Sequence, residues 1–303
     1  MKYIENSKEF QCRNSVVTLG KFDGIHKGHG LLLEELRKYT DKTKVVFTFY
    51  EHPKTILEKQ QKLLTLEEEK KNILAQEKID MMVSYPFDEE TRTMSPLTFI
   101  EQVLVSQLDA KVIVVGEDFC FGSRRSGNVA LLKEVAKDYG FEVIAKEKLQ
   151  LQGEIVSSSR IRKEMEQGNF SVVNDLLLYP YSIAGIVKEG KKLGRTIKMP
   201  TINIYPAPEK QLPGYGVYCS VVTVNEQQYP ALTNIGIRPT VEDTNLPCIE
   251  SYLLDYHGDL YGQQVTISLL KFLRPEQKFE TLEELSSRME LDKIAAKDYF
   301  SVK

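Results

Sequence analysis

Short apolar runs alternate with longer stretches of helical period over roughly the first 178 residues. Val16–Leu19, Val45–Tyr50, Met81–Tyr85, Val112–Val115 and Phe141–Ala145 are runs of the length and β-branched content of buried strands. Between them the sequence carries helix starts. Thr65-Leu-Glu-Glu68 reads as a capping box, and Ser95-Pro96 as an N-cap followed by proline at the first helical position. Gly127–Tyr139 reads as an amphipathic helix closed by Gly140. This alternation predicts an α/β unit with a Rossmann-like parallel sheet covered on both faces, whose ligands bind beyond the carboxyl ends of the strands.

After Leu178 the pattern changes. Ser182–Val187, Gly216–Val224, Ile249–Tyr256 and Gln264–Phe272 are short alternating segments separated by glycine, proline and asparagine turns, which predicts a small antiparallel barrel or sandwich. Thr281-Leu-Glu-Glu284 opens a final helix toward Phe300. With a short linker around Tyr179-Pro180, the expected domains are 1–180 and 181–303.

Composition narrows the function classes. The 303 residues are 42% hydrophobic and 27% charged, as in a globular protein with real cores. A net charge of -3 and a pI near 6.0 give no broad electrostatic reason to bind nucleic acid or an anionic membrane. The first sixteen residues lack a signal-peptide pattern and no apolar run spans a bilayer, so a cytoplasmic location is expected. Cys12, Cys120, Cys219 and Cys248 are widely spaced and read as small buried hydrophobes. Small molecules are therefore the expected partners; a homo-oligomer is compatible with the sequence.

The densest chemistry is Gly20-Lys-Phe-Asp-Gly-Ile-His-Lys-Gly-His29, directly after the first strand and just before an apolar helix. Its glycines let the backbone approach a ligand, and the helix start offers unpaired N–H groups and a positive dipole end. His26 and His29, three apart, can face one anion and donate hydrogen bonds to charge growing on a phosphoryl oxygen. Three of only four histidines, His26, His29 and His52, follow the first two strands. Ser158, Ser159 and Arg162 combine hydroxyl donors with a fixed charge at a helix start, suited to a triphosphate or, equally, to a serine cap with a solvated arginine. Asp118 suits a ribose or adenine contact, or a turn.

These residues resemble the His-x-Gly-His nucleotidyltransferases, and the whole pattern resembles the bacterial bifunctional riboflavin kinase/FAD synthetase family. Further matches are Thr48-Phe-Tyr-Glu-His-Pro53, Gly116-Glu-Asp-Phe-Cys-Phe-Gly122 and Val156-Ser-Ser-Ser-Arg-Ile-Arg162. The resemblance implies adenylyl transfer from ATP to FMN with Mg²⁺, pyrophosphate leaving, and a site formed by Gly20, Phe22, Asp23, Gly24, Gly28, His52, Asp118, Ser158, Ser159 and Arg162 around His26 and His29.

A second constellation lies in the barrel. Gly190, Lys191, Lys192, Gly194 and Arg195 make a glycine-rich basic loop, and Met199-Pro-Thr-Ile-Asn-Ile204 puts Thr201 and Asn203 on one strand face. Two hard oxygen ligands there suit Mg²⁺. Their order resembles the riboflavin kinase motif, which implies Thr201 and Asn203 as metal ligands, the loop on ATP, and Glu250 as the base for the riboflavin 5′-hydroxyl. Arg274 reads either as a flavin or phosphate contact or as an ion pair. Glu51 and Lys198 depart from the family pattern. The competing expectations are a monofunctional FAD synthetase with an inactive kinase-like domain, and a non-catalytic flavin- or RNA-binding regulator.

Overall fold

The computed structural model describes residues 1–50, 62–189, 199–237 and 246–301. By packing, the chain divides into two compact units, Met1–Ser158 and Ser159–Lys303.

In the first unit, strands β1 (Lys2–Glu5), β2 (Ser15–Leu19), β3 (Thr43–Tyr50), β4 (Met81–Pro86) and β5 (Ala110–Gly116) run parallel. Two short strands, β6 (Cys120–Phe121) and β7 (Gly127–Asn128), form a separate hairpin before β8 (Glu142–Lys146) completes the main sheet. Its order is β1-β4-β3-β2-β5-β8. From β2 the chain steps outward to β3 and β4, then returns across β2 to β5 and β8, so the direction of winding reverses between β2 and β5. A ligand crevice opens beyond the carboxyl ends of strands at such a reversal. All five residues of β2 are buried, as a central strand covered on both faces requires. β1 is polar and half-exposed, and the apolar pattern did not reveal it as a sixth strand.

The local signals are mostly borne out. Ser95 caps its helix through the Thr98 N–H at 3.1 Å, and Gly140 ends the helix Val129–Tyr139 in the left-handed region at φ 70°. Thr65 is a correction. The helix there is Glu67–Gln76, with Leu66 at the N-cap and its N–H donated to Glu69, because the Thr65 hydroxyl is engaged elsewhere.

A small antiparallel pair, β9 (Gln150–Leu151) and β10 (Glu154–Ile155), precedes the second unit. That unit is an antiparallel barrel of β11 (Ser182–Ile186), β12 (Ile202–Ile204), β13 (Gly216–Val224), β14 (Gln227–Ile237), β15 (Pro247–Leu253) and β16 (Gln264–Pro275). The order β11-β16-β13-β14-β15-β12 nearly closes on itself, since Lys188 just beyond β11 donates its N–H to the Asn203 carbonyl of β12 at 2.8 Å. Inside, Ser220, Thr233 and Ser251 form a fully buried chain of hydroxyls, each step 2.7 Å, which ties together β13, β14 and β15.

Two outer elements complete this unit. The helix Phe170–Leu176 buries Phe170 edge-on against Tyr218 (5.1 Å between ring centres) and Tyr181 (6.3 Å). Asn174 then bonds the Leu269 carbonyl and the Tyr181 N–H. The helix Leu282–Ser301 covers an apolar patch of Val217, Cys219, Leu232 and Leu254 with Ala296.

Candidate active sites

The helix Lys27–Arg37 begins at the reversal point of the parallel sheet, with His26 as its N-cap. The cap is reciprocal. His26 Nδ1 accepts the His29 N–H at 3.2 Å, and His29 Nδ1 accepts the His26 N–H at 3.3 Å. An imidazole nitrogen that accepts a hydrogen bond carries no proton, so both rings hold their proton on Nε2. The rings stack at 3.7 Å and 16°, and Phe22 stacks beneath His29 at 4.6 Å. Burial pushes His26 down to about 4, with the Asp23 charge opposing, and pushes His29 well below the usual histidine range, helped by His26 and Lys70. At neutral pH the pair is uncharged and carries two Nε2–H donors on stacked rings at the positive end of a helix.

The loop before it is built around this pair. Gly24 has φ +62°, and a Cβ there would lie 2.6 Å from Leu64 Cδ1. At Gly28 a Cβ would lie 3.0 Å from His26 Nδ1, so any other residue would press the ring to give by a few tenths of an ångström. Gly20 donates its N–H to the Phe47 carbonyl at 3.1 Å. Asp23 accepts the Leu64 and Thr65 N–H groups at 2.8 and 3.1 Å, and its carbonyl accepts the Ser158 hydroxyl at 2.7 Å. Thus Asp23 and Ser158, expected to meet ligand, use these atoms to hold the loop. Phe22, also expected to meet ligand, is fully buried and serves as the platform for His29. Asp118 follows β5, exposed and paired with Lys148 at 2.9 Å. Ser159 and Arg162 lie on the helix Ser158–Glu166. His52 lies outside the described residues.

In the barrel, antiparallel register sets Glu250 opposite Asn203 on one side and Asn234 on the other. Directly opposite residues share a face, so the three form a row across β12, β15 and β14. Asn203 is buried and Glu250 half-buried. Thr201 lies just before β12, two residues before Asn203. Asn234 was not singled out from sequence, because the signal, a polar residue in an apolar strand, gains meaning only with the strand pairing.

Arg274 is engaged structurally. Its guanidinium grips Asp292 through Nε (3.1 and 3.0 Å) and Nη2 (2.7 Å) and bonds the Pro275 carbonyl, both side chains being nearly buried. Of its two sequence readings, the geometry gives the ion pair, and a buried one. Gly190, Lys191, Gly194 and Arg195 lie outside the described residues. Among those described, no group of three or more His, Cys, Asp or Glu could hold a metal. Thr201 and Asn203 instead offer hard oxygens of the kind Mg²⁺ takes beside phosphate.

Uncharged imidazole donors at a helix start, in a parallel sheet's reversal crevice, can meet a phosphate, and the barrel adds a carboxylate beside neutral oxygens. Such a pairing defines a two-unit enzyme of nucleotide chemistry. Known proteins give it a narrower place. The FAD synthetase family matches residues 8–160 and the riboflavin kinase family residues 177–300. The bifunctional riboflavin kinase/FMN adenylyltransferase of Escherichia coli (strain K12) is 33% identical over 99% of this chain and 97% of its own length. That of Listeria monocytogenes is 33% identical over 95% and 93%. A solved structure from Streptococcus pneumoniae, described as a macrolide-efflux protein, superposes with a TM-score of 0.85 at 30% identity, covering 97% of this chain and 98% of that one. No described helix here is long and apolar enough to cross a membrane. The chain belongs to the bifunctional riboflavin kinase/FMN adenylyltransferase family.

Proposed function

We propose that this chain converts riboflavin to FMN in its barrel and FMN to FAD in its parallel-sheet unit, using ATP in both steps. The observation that carries the second step is the reciprocal cap, which occupies both Nδ1 atoms as acceptors and leaves each ring an Nε2–H donor at the helix start. FMN phosphate attacks the α-phosphorus of ATP, the bond to pyrophosphate breaks, and His26 and His29 donate to the charge that grows on the non-bridging oxygens. Because both imidazoles stay neutral, they act as donors and need not give up a proton. Ser159 and Arg162 are proposed to meet the triphosphate, and Asp118 the nucleoside.

For the first step, Glu250 takes the proton of the riboflavin 5′-hydroxyl as that oxygen attacks the γ-phosphorus of ATP. Thr201 and Asn203 would hold Mg²⁺, which offsets the phosphate charge when bound. The loop with Gly190, Lys191, Gly194 and Arg195 is proposed to cover the phosphates. Intact His26, His29, Asn203 and Glu250 favour both activities over a monofunctional or non-catalytic protein.

Purified protein with riboflavin, ATP and Mg²⁺ should yield FMN and then FAD by chromatography. His29→Ala should cost about 100- to 1,000-fold in FAD formation while FMN still accumulates. Glu250→Gln should cost about 100- to 10,000-fold in riboflavin phosphorylation while supplied FMN is still adenylylated. Loss of both activities from either change, in folded protein, would refute the two-site assignment.

A further inference from the structure

The segment Gly20–His26 must deliver His26 to its cap in one orientation, yet it has no strand or helix of its own. It is also bent against preference at Phe22, φ +49°, and turns through the left-handed region again at Gly24, φ +62°. A non-glycine residue in the left-handed region persists only where its surroundings over-determine it. Beside the Ser158 and Phe47 contacts, those surroundings include the residues just before the helix Glu67–Gln76. Leu64, 1% exposed, fills the space that Gly24 leaves by lacking a Cβ. Its N–H and that of Thr65 are both taken by the Asp23 carboxylate. In return the hydroxyl of the buried Thr65 accepts the Gly24 N–H at 3.1 Å. The two segments thus exchange three hydrogen bonds over about forty residues of chain, and Gly24 lies two residues from His26.

We infer that Thr65 is a positioning residue for adenylyl transfer: by accepting the Gly24 N–H it fixes the loop that sets the His26–His29 donor pair. The inference rests on the adenylyl-transfer reading of that pair. Thr65 has the sequence signature of a helix cap, but Leu66 occupies the cap and the Thr65 hydroxyl is turned to the loop. Valine in its place keeps the shape and removes the acceptor, leaving the Gly24 N–H buried without it. The loop then shifts to recover a partner and carries His26 with it. Donors displaced by a fraction of an ångström to an ångström lose their aim at the transition-state oxygens, and a misplacement near 1 Å costs on the order of 100-fold in rate. ATP binding through other contacts is largely spared.

The test compares Thr65→Val, Thr65→Ser and His29→Ala in the full-length chain, measuring kcat and KM of FMN adenylylation and, in the same preparations, the rate of riboflavin phosphorylation. Thr65→Val should lower the adenylylation kcat about 10- to 100-fold with little change in KM for ATP. Thr65→Ser, which keeps the hydroxyl, should restore most of it, and the kinase rate should stay at the wild-type value throughout. Wild-type kcat in Thr65→Val, an effect confined to KM, or an equal loss in Thr65→Ser would overturn the inference, the last because it assigns the effect to the methyl group. If His29→Ala abolishes FAD formation while Thr65→Val is silent, the inference alone falls. If His29→Ala leaves FAD formation intact, the donor reading of the imidazoles falls and the inference with it.

Discussion

His26 is folded into the protein as a neutral ring, and that has a consequence for acid stability. Burial holds its pKa at about 4, against about 6.5 for an exposed histidine. When the chain unfolds, the ring regains its ordinary pKa, so between these two values the unfolded state binds a proton that the folded state refuses. The sign follows: a depressed histidine contributes stability that is whole above about pH 6.5 and is lost as the pH falls toward about 4. Integrating over that interval, the loss from about pH 7.5 to about pH 5 is about 2 kcal/mol from this residue. His26→Asn isolates it. Asparagine is a strong N-cap that can still accept the His29 N–H, but it does not titrate. Amide hydrogen exchange of the β2 and β5 core reads the opening of this unit separately from the barrel. Between the two pH values, wild-type protection should fall by about 2 kcal/mol more than that of His26→Asn. Equal falls in the two proteins would refute the neutral, proton-refusing state assigned to this ring, whatever the absolute stability of the variant.

Two further outcomes concern the barrel. Phe170→Ala should destabilise the second unit by about 3–5 kcal/mol, read from the exchange of β13 and β16 amides, because the lost ring is fully buried against Tyr218 and Tyr181; a change below about 1 kcal/mol would show that the helix Phe170–Leu176 is dispensable to it. Arg274→Ala should cost about 1.5–3 kcal/mol, since it removes three hydrogen bonds to the nearly buried Asp292 and leaves that carboxylate the Arg288 contact at 3.3 Å, and should loosen the helix Leu282–Ser301. A rise in riboflavin KM without that loss of stability would instead assign Arg274 to the ligand.

Much of this molecule is written in local sequence. The buried runs of β2 to β5, the Ser95 cap and the left-handed Gly140 are set by interactions within a few residues, so periodicity and capping rules reach them. The glycine-rich loop ending in His26 and His29 is equally legible, since a helix start with donors is a local object. What only the tertiary structure decides are the partnerships between distant segments. β1 is too polar to announce itself, and it becomes a strand by pairing with β4. Thr65 looks like a cap until a loop some forty residues earlier claims its hydroxyl. Asp23, Ser158 and Phe22 carry the composition of ligand-binding residues, yet their described contacts hold the loop and the imidazole in place. Arg274 could answer a phosphate or a carboxylate equally well, and the choice of Asp292 is made by a helix eighteen residues later folding back onto the barrel. The row of Asn203, Glu250 and Asn234 exists only through strand register, where a slip of one residue would turn Glu250 to the opposite face. Sequence specifies which groups are available; a polar side chain has many acceptable partners of similar energy, and only the packed fold determines which one it meets.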